Sequence, residues 1–190
     1  MVHPTSAQHE PGFAVWLTGM SGAGKSTLGD ALARELRARG LRVEVLDGDE
    51  IREHLSQDLG FSKQDRDTQV QRIAYLTRLL VRNGVAVIVA AVSPSAEARA
   101  RARESIDRFV EVHVDCSLDE LVRRDVKGLY RRALAGEIEH FTGVSDPYEP
   151  PAAPEVRVDS ATQSADESLA AILDAIKGRG YLAPTTERSD

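Results

Sequence analysis

Short apolar runs alternate with amphipathic segments along most of the 190-residue chain. Runs of this length are typical of β-strands, and an unbroken one indicates a strand covered on both faces. Five strands are predicted, at residues 13–17, 42–46, 85–92, 109–114 and 156–158. The fourth alternates polar with apolar residues, so we expect it to have a more polar face, with His113 pointing outward.

The segments between the strands carry helix-capping signals. The predicted N-terminal caps are Ser62, Ser93 and Ser164. Ser62 with Asp65 forms an N-cap pair, and Ser164 with Glu167 has the arrangement of a capping box. Another helix follows a glycine-rich turn and ends near Gly40. Strands that alternate with helices predict an α/β fold with a parallel sheet wound on both faces, whose ligands lie at the carboxyl ends of the strands.

The pattern predicts one domain over residues 13–182, between tails at 1–12 and 183–190. The apolar fraction of 42% and the charged fraction of 28% are ordinary for a soluble protein. The net charge of -6 argues against nucleic acid as the main partner. No apolar run is long enough to span a membrane, and the single cysteine, Cys116, fits a reducing compartment. We therefore expect a cytoplasmic protein without a membrane partner.

The glycine-rich turn "GMSGAGKS" (19–26) matches the phosphate-loop motif G-x-x-x-x-G-K-[ST] between a predicted strand and a predicted helix. Its glycines let successive N–H groups point at one phosphate, and the helix N-terminus adds partial positive charge. Lys25 is then expected at the β- and γ-phosphates of ATP, and Ser26 at a magnesium ion. The guanine-reading motif N-K-x-D and the transporter signature L-S-G-G-Q are absent from the sequence, which favours a small-molecule kinase.

Two further segments offer groups for a phosphoryl acceptor. In "LDGDEIR" (46–52), Asp49 is the better candidate for orienting a hydroxyl and taking its proton; the alternative is a plain Asp-Gly-Asp turn with a helix cap. In "LGFSKQDRDTQVQR" (59–72), Arg66 suits bidentate binding of a phosphate or sulfate; the alternative is a solvated helix face.

Residues 127–148 begin with "KGLYRRALAGEIEHFTG", whose glycines argue against one unbroken helix. We interpret this segment as a lid that closes over both substrates and excludes water. The alternative is an amphipathic surface helix with Leu129, Ala133 and Leu134 packed inward.

Taken together and in order, "GMSGAGKST", "LDGDEIR", "LGFSKQDR", "VSP", "RDVKGLYRRALAGEI" and "FTGVSDPYEPPAAPE" resemble the adenylylsulfate kinase family over about residues 12–180. The resemblance implies a P-loop NTPase-type sheet of about five strands. It also implies phosphorylation of the 3′-hydroxyl of adenylylsulfate (APS) by MgATP, giving 3′-phosphoadenylylsulfate (PAPS). A homodimer and a separate ATP sulfurylase are further expectations.

The resemblance also implies roles for individual residues. Asp49 would be the base, with Lys25 and Lys127 on the phosphates. Phe61 and Phe141 would sandwich the APS adenine. The implied ATP site is Gly19, Ser21, Gly22, Ala23, Gly24, Lys25, Ser26, Thr27 and Arg124, the last on the ATP adenine. The implied acceptor site is Asp49, Arg52, Phe61, Arg66, Gln69, Val92, Ser93, Lys127, Leu129, Phe141 and Thr142. Magnesium would bind at Ser26.

The chain departs from the usual pattern of that family near the acceptor. The departures are Thr68, Gln69, Gln71, Ser95 and His140. They leave open a related kinase of another nucleotide-like or specialised-metabolite alcohol. A non-catalytic regulatory subunit is disfavoured because the candidate catalytic residues are retained. Ser93 matches a serine that is phosphorylated in some bacterial relatives; we favour a helix-capping role for it, and an acceptor contact second.

Overall fold

A computed structural model describes residues 11–125 and 127–182 of the chain. Within them, five parallel strands form one sheet in the order β2-β3-β1-β4-β5. The strands are β1 (Ala14–Thr18), β2 (Val43–Asp47), β3 (Ala86–Ala90), β4 (Phe109–Asp115) and β5 (Val156–Asp159). The predicted α/β fold is confirmed. Most of each predicted tail, residues 1–10 and 183–190, lies outside the described residues, and the single-domain assignment stays a prediction.

Helices cover both faces of this sheet. Those in the described residues are α1 (Lys25–Ala38), α2 (Gly48–Leu55), α3 (Lys63–Arg82), α4 (Ala96–Ser105), α5 (Leu118–Arg124), α6 (Leu129–Leu134) and α7 (Ala165–Gly178). The predicted caps Ser62 and Ser164 are confirmed, since each hydroxyl accepts the N–H three residues later. None of the helices in residues 11–125 and 127–182 is both long and apolar enough to cross a membrane.

Alternate side chains of the central strand β1 enter two separate apolar layers. Val15 and Leu17 pack with apolar residues of α1 and α7. Trp16 points the other way, into a layer built with α3 and α4, and is fully buried. The two layers hold β1 in the centre of the sheet, so the turn that follows it is fixed on a rigid support.

The polar face of β4 is buried, so the expectation that His113 points outward was wrong. Glu111 and His113 are only 8% and 5% exposed. Residues 148–155, which lead into β5, lie over this face together with α4, whose Arg99 pairs with Glu111. Tyr148 stacks on His113 with ring centroids 5.9 Å apart, and Glu155 accepts the N–H of Glu111 at 2.6 Å. The alternating pattern marked a real polar face, but a distant segment with matching polar groups covers it.

The N-terminal cap of α4 is Ser95, so the capping role predicted for Ser93 was wrong. The Ser95 hydroxyl accepts the N–H of Ala98 at 3.2 Å. Ser93 lies two residues earlier in a left-handed conformation with φ 46°, and its hydroxyl accepts the indole N–H of Trp16 at 3.1 Å. The chain therefore runs past Pro94 before the helix begins.

Candidate active site

The phosphate loop between β1 and α1 is curled as its glycines predict. Gly22 and Gly24 have φ angles of 77° and 97°, in the left-handed region that favours glycine. At Gly19, a side-chain carbon would lie 2.3 Å from the carbonyl oxygen of Val114, so only glycine fits there. The resulting concave turn opens at the N-terminus of α1, which is the geometry of a phosphate-binding site.

Lys25 lies inside this loop rather than in solvent. Its ammonium group donates to the carbonyl oxygens of Gly19 at 2.9 Å and Met20 at 2.8 Å, and the residue is 8% exposed. Burial lowers the pKa of Lys25 to about 8, and the charges of Asp49 and Asp47 only partly oppose this effect. An anionic phosphate at the loop would favour the charged form of Lys25.

Ser26 connects the loop to the turn after β2. Its hydroxyl donates to Oδ2 of Asp47 at 2.7 Å, and Oδ1 of Asp47 accepts the backbone N–H of Asp49 at 2.8 Å. Asp47 is thereby the N-terminal cap of α2, as the turn alternative for Asp-Gly-Asp predicted. Its contact with the loop was not foreseen, because the two residues lie 21 positions apart in the chain.

The donor atoms around Ser26 suit magnesium. A hydroxyl and a carboxylate oxygen lie beside the phosphate loop, and both are hard oxygen ligands. In the described residues, no group of three or more His, Cys, Asp or Glu side chains could enclose a metal ion. A magnesium ion usually takes only one or two protein ligands and completes its shell with water and substrate phosphates, so the arrangement at Ser26 fits it.

Asp49 and Lys127 form an ion pair at the mouth of this site. The distance from Nζ of Lys127 to Oδ2 of Asp49 is 2.7 Å, and the two side chains are 61% and 82% exposed. The hydrogen bond to Asp49 raises the pKa of Lys127. This pair joins residues 127–148, the segment interpreted above as a lid, to the N-terminus of α2.

Three of the predicted acceptor residues form one cationic aromatic surface. The guanidinium carbons of Arg52 and Arg66 lie 4.9 Å and 5.6 Å from the ring centroid of Phe61, which is 56% exposed. Arg66 also donates to the carbonyl oxygens of Phe61 and of His140 in the lid. Burial lowers the pKa of each arginine, and their mutual repulsion adds to this effect at Arg66. An anion with an attached planar ring would be complementary to this surface.

Gln69 lies under the turn that carries Asp49. It is 6% exposed, and its Nε2 donates to the carbonyl oxygen of Gly48 at 3.0 Å, while its Oε1 has no partner in the described residues. Thr142 in the lid is also buried, with an unpartnered hydroxyl. At the end of β3, the carbonyl of Val92 accepts the hydroxyl of Thr18 at 2.7 Å. The hydrogen bond from Gln69 to the carbonyl of Gly48 therefore supports the turn that carries Asp49.

The lid contains the short helix α6, whose buried residues are Tyr130 and Ala133. Leu134 is 58% exposed, so the alternative packing with Leu134 inward was wrong. The sequence interpretation did not single out Tyr130. Its hydroxyl donates to the carbonyl oxygen of Ser21 in the phosphate loop at 2.7 Å. Leu129 is the first residue of the helix. No local pattern could have indicated the contact between Tyr130 and Ser21, because the two residues lie 109 positions apart in the chain.

Arg124 lies at the end of α5, on the other side of the loop. Its Nε donates to Glu120 and one terminal nitrogen donates to the carbonyl of Ser160, both at 2.7 Å. These hydrogen bonds are made by N–H groups at the edge of the guanidinium plane. A base stacked on its flat face would complete the ATP site predicted there.

The fold and these groups define a class of protein: a P-loop kinase, in which a phosphate loop faces an acceptor surface. The adenylylsulphate kinase family model matches residues 11–159. The chain belongs to the adenylylsulfate kinase family, and the resemblance inferred from its motifs is confirmed.

Individual relatives agree with this assignment. An adenylyl-sulfate kinase of Synechococcus sp. (strain JA-2-3B'a(2-13)) is 53% identical over 171 residues, which are 90% of this chain and 98% of that protein. A probable bifunctional SAT/APS kinase 2 of Sorangium cellulosum is 54% identical over 171 residues, and the match spans only 29% of its length. The solved Mycobacterium tuberculosis APS kinase in complex with AMPPNP and APS is 42% identical, with a TM-score of 0.84 over 88% of this chain and 98% of that one.

Proposed function

We propose that this chain transfers the γ-phosphate of ATP to the 3′-hydroxyl of adenylylsulfate, giving PAPS and ADP. One observation carries this proposal: Asp47 accepts both the Ser26 hydroxyl at the phosphate loop and the backbone N–H of Asp49. Asp49 is thereby held beside the donor loop, in the first turn of α2, the helix that also carries Arg52 of the cationic aromatic surface. A carboxylate between a donor site and an acceptor site is the arrangement that phosphoryl transfer requires. Relatives named adenylyl-sulfate kinase, about half identical to this chain, support the choice of acceptor.

On the donor side, the backbone of residues 19–24 binds the phosphates, and Lys25 neutralises charge that develops on the transferred group. Magnesium, held at Ser26 with Asp47 beside it, supplies further neutralisation of the phosphate oxygens when bound. Arg124 stacks on the adenine of ATP. These residues bind and orient the donor.

On the acceptor side, Phe61 and Phe141 stack on the adenine of APS, and Arg52 and Arg66 bind its phosphosulfate. Asp49 orients the 3′-hydroxyl in line with the γ-phosphate and takes its proton. Lys127 donates to Asp49 in this structure, so it must turn towards the phosphates when both substrates are present. The lid then excludes water, because water would otherwise compete with the hydroxyl.

The test is an assay of ADP release by the purified protein with MgATP and a panel of alcohols, with and without APS. We expect strong stimulation by APS and a product that is heavier than APS by one phosphoryl group in mass spectrometry. Stimulation by another alcohol in the panel, and none by APS, would favour the related kinase that the acceptor-side departures permit.

The assembly and setting of the enzyme extend this proposal. We infer a homodimer that acts in the cytoplasm and receives APS from a separate ATP sulfurylase. The family resemblance supports the dimer, and the single, buried Cys116 suits a reducing compartment. Light scattering of the purified protein would contradict the dimer if it gave the mass of one chain.

A further inference from the structure

Tyr130 contacts both halves of the candidate active site. Its hydroxyl donates to the carbonyl oxygen of Ser21 in the phosphate loop at 2.7 Å. Its ring meets the ring of Phe141 edge to face, with centroids 5.0 Å apart and planes at 84°. Tyr130 is only 2% exposed, so neither contact competes with bulk water. One side chain thus links the donor loop to an aromatic ring of the acceptor site.

The contact with the donor loop is well defined. Burial raises the pKa of Tyr130 to about 12, so its hydroxyl remains a donor at neutral pH. The ring also lies 4.0 Å from where a side chain at Gly22 would begin. The carboxylate of Asp125 accepts the backbone N–H groups of Tyr130 and Arg131, which fixes the first turn of α6. A shift of the loop at Ser21 would therefore move Tyr130.

The contact with the acceptor ring is equally constrained. The carbonyl of Phe141 accepts three N–H groups, from Val144, Ser145 and Asp146, and its own N–H donates to the Ser145 hydroxyl at 2.8 Å. The backbone that carries Phe141 is thus a closed turn. Among residues 11–125 and 127–182, its ring has one aromatic neighbour, and an edge-to-face pair is worth more than the area it buries.

We propose that Tyr130 is a positioning residue that couples the two substrate sites. A nucleotide that orders the phosphate loop fixes the carbonyl of Ser21, which holds Tyr130 and, through the edge-to-face contact of the two rings, the acceptor ring of Phe141. Nucleotide at the donor site then raises the affinity for APS, and by linkage APS raises the affinity for nucleotide by the same factor. This inference rests on the proposed function, because it takes APS as the acceptor.

The experiment is a calorimetric titration of the full chain with APS, in the absence and presence of saturating ADP and magnesium, so that no turnover occurs. The measured quantity is the ratio of the two APS affinities. We expect Tyr130→Phe, which keeps the ring but loses the hydrogen bond to Ser21, to lower this ratio by about three- to tenfold. The APS affinity of the nucleotide-free protein should stay within about twofold, since the ring is retained.

Tyr148→Phe is the matched control. Tyr148 is a partly buried tyrosine whose hydroxyl hydrogen-bonds to Thr18 at 3.0 Å, without a contact to the phosphate loop or to Phe141 among the described interactions. Tyr148→Phe should lower the stability of the protein but leave the ratio of the two APS affinities unchanged. In a Phe141→Leu background, Tyr130→Phe should not lower the ratio of the APS affinities further, because the contact between the two rings is already lost.

Three outcomes would overturn the inference: an unchanged ratio in Tyr130→Phe, an equal fall in Tyr148→Phe, or a wild-type ratio of one. If the wild-type protein does not bind APS with or without ADP, the proposed function itself fails. Binding of APS without coupling leaves the proposed function standing and removes only the role of Tyr130.

Discussion

Lys127 donates to Asp49 across 2.7 Å, although the two residues lie 78 positions apart in the chain. The pair joins residues 127–148 to the first turn of α2, so Lys127 engages one oxygen of the carboxylate that we propose as the base. Both side chains are largely exposed, so this ion pair contributes little to stability and is easily broken.

Asp49→Asn should lower the rate of phosphoryl transfer by about 100-fold or more while leaving the affinity for ATP within about threefold. The amide still contacts the hydroxyl, but it cannot take its proton. Single-turnover kinetics measure the transfer step, and ADP titration measures the nucleotide affinity. A normal transfer rate in this variant would contradict the assignment of Asp49 as the base.

Asp47→Asn serves as the matched control, because it makes the same chemical change two residues away. Asp47 accepts a hydrogen bond from the Ser26 hydroxyl. Replacing the Asp47 carboxylate should therefore weaken magnesium and nucleotide binding rather than proton transfer. We expect high magnesium to restore much of its activity, whereas Asp49→Asn should not respond. If high magnesium instead restored Asp49→Asn and not Asp47→Asn, the roles assigned to the two carboxylates would have to be exchanged.

Lys25 should make nucleotide binding depend on pH. Burial lowers its pKa to about 8, and bound phosphates favour the protonated form. Just above pH 8 we therefore expect ADP binding to take up part of a proton, and the affinity for ADP to fall as pH rises. Calorimetry in buffers of different ionisation enthalpy measures the uptake. Lys25→Arg keeps its charge throughout this range, so the uptake should disappear; equal uptake in both proteins would contradict the role of Lys25.

The same pKa shift has a defined effect on stability. Between about 8 and 10.5 the unfolded chain keeps the Lys25 proton that the folded, nucleotide-free protein has released. The unfolded state binds more protons in this range, so the contribution of Lys25 to the free energy of unfolding rises with pH. Denaturant unfolding of the wild type and Lys25→Met across this range isolates the contribution.

Gln69→Asn should slow phosphoryl transfer by about three- to tenfold. The shorter amide cannot reach the carbonyl of Gly48, now 3.0 Å from Nε2, so the turn beside Asp49 loses its support. The family pattern, which usually has asparagine at this position, taken alone predicted an improved or unchanged affinity for APS, and it made no prediction about the transfer rate. Gln71→Asn is the control, because Gln71 on the same helix donates to the carbonyl of Ala98 instead. Equal effects of the two changes would contradict a specific role for Gln69.

The sequence predicted those features whose residues are neighbours in the chain. The phosphate loop is one contiguous turn, and the strand pattern determines the sheet, so both were found. The contacts Ser26–Asp47 and Tyr130–Ser21 were not, because only the completed fold brings these residues together.

Two of the incorrect local predictions have the same cause. Ser93 and Ser95 both fit a helix-capping pattern, and the hydrogen bond from Trp16 to Ser93, 77 positions away, distinguishes them. Likewise, the polar face of β4 is buried because Arg99, from α4, pairs with Glu111 across 3.1 Å. A local pattern shows that a residue is polar, but not which distant group satisfies it.

The lid hypothesis predicts a ligand-dependent change in the backbone of residues 127–148. Three contacts hold this segment over the site: Lys127 with Asp49, Tyr130 with Ser21, and His140 with Arg66. Each of them involves a residue that is expected to bind a substrate. The lid should therefore open readily in the free protein and close when the substrates are present.

Limited trypsin digestion measures this change, because Lys127, Arg131 and Arg132 are exposed and cleavable only where the backbone opens. We expect cleavage there in the free protein, and strong protection with ADP, magnesium and APS together. Arg101, exposed in α4, provides an internal reference that should resist cleavage in both conditions. A variant with Arg131→Gln and Arg132→Gln should lose the corresponding fragments, which confirms where the chain is cut.

The ligand dependence separates a lid from a permanently packed surface helix. A packed α6 would resist trypsin equally with and without ligands, and a segment that never closes would be cut equally in both. Protection by ADP and magnesium alone would show that the donor site suffices to close residues 127–148. Protection only in the ternary mixture is the result we expect, because the ring of Phe141 and the guanidinium of Arg66 have their proposed ligand only when APS is bound. Equal cleavage in all mixtures would end the lid hypothesis while leaving the phosphate-loop assignment intact.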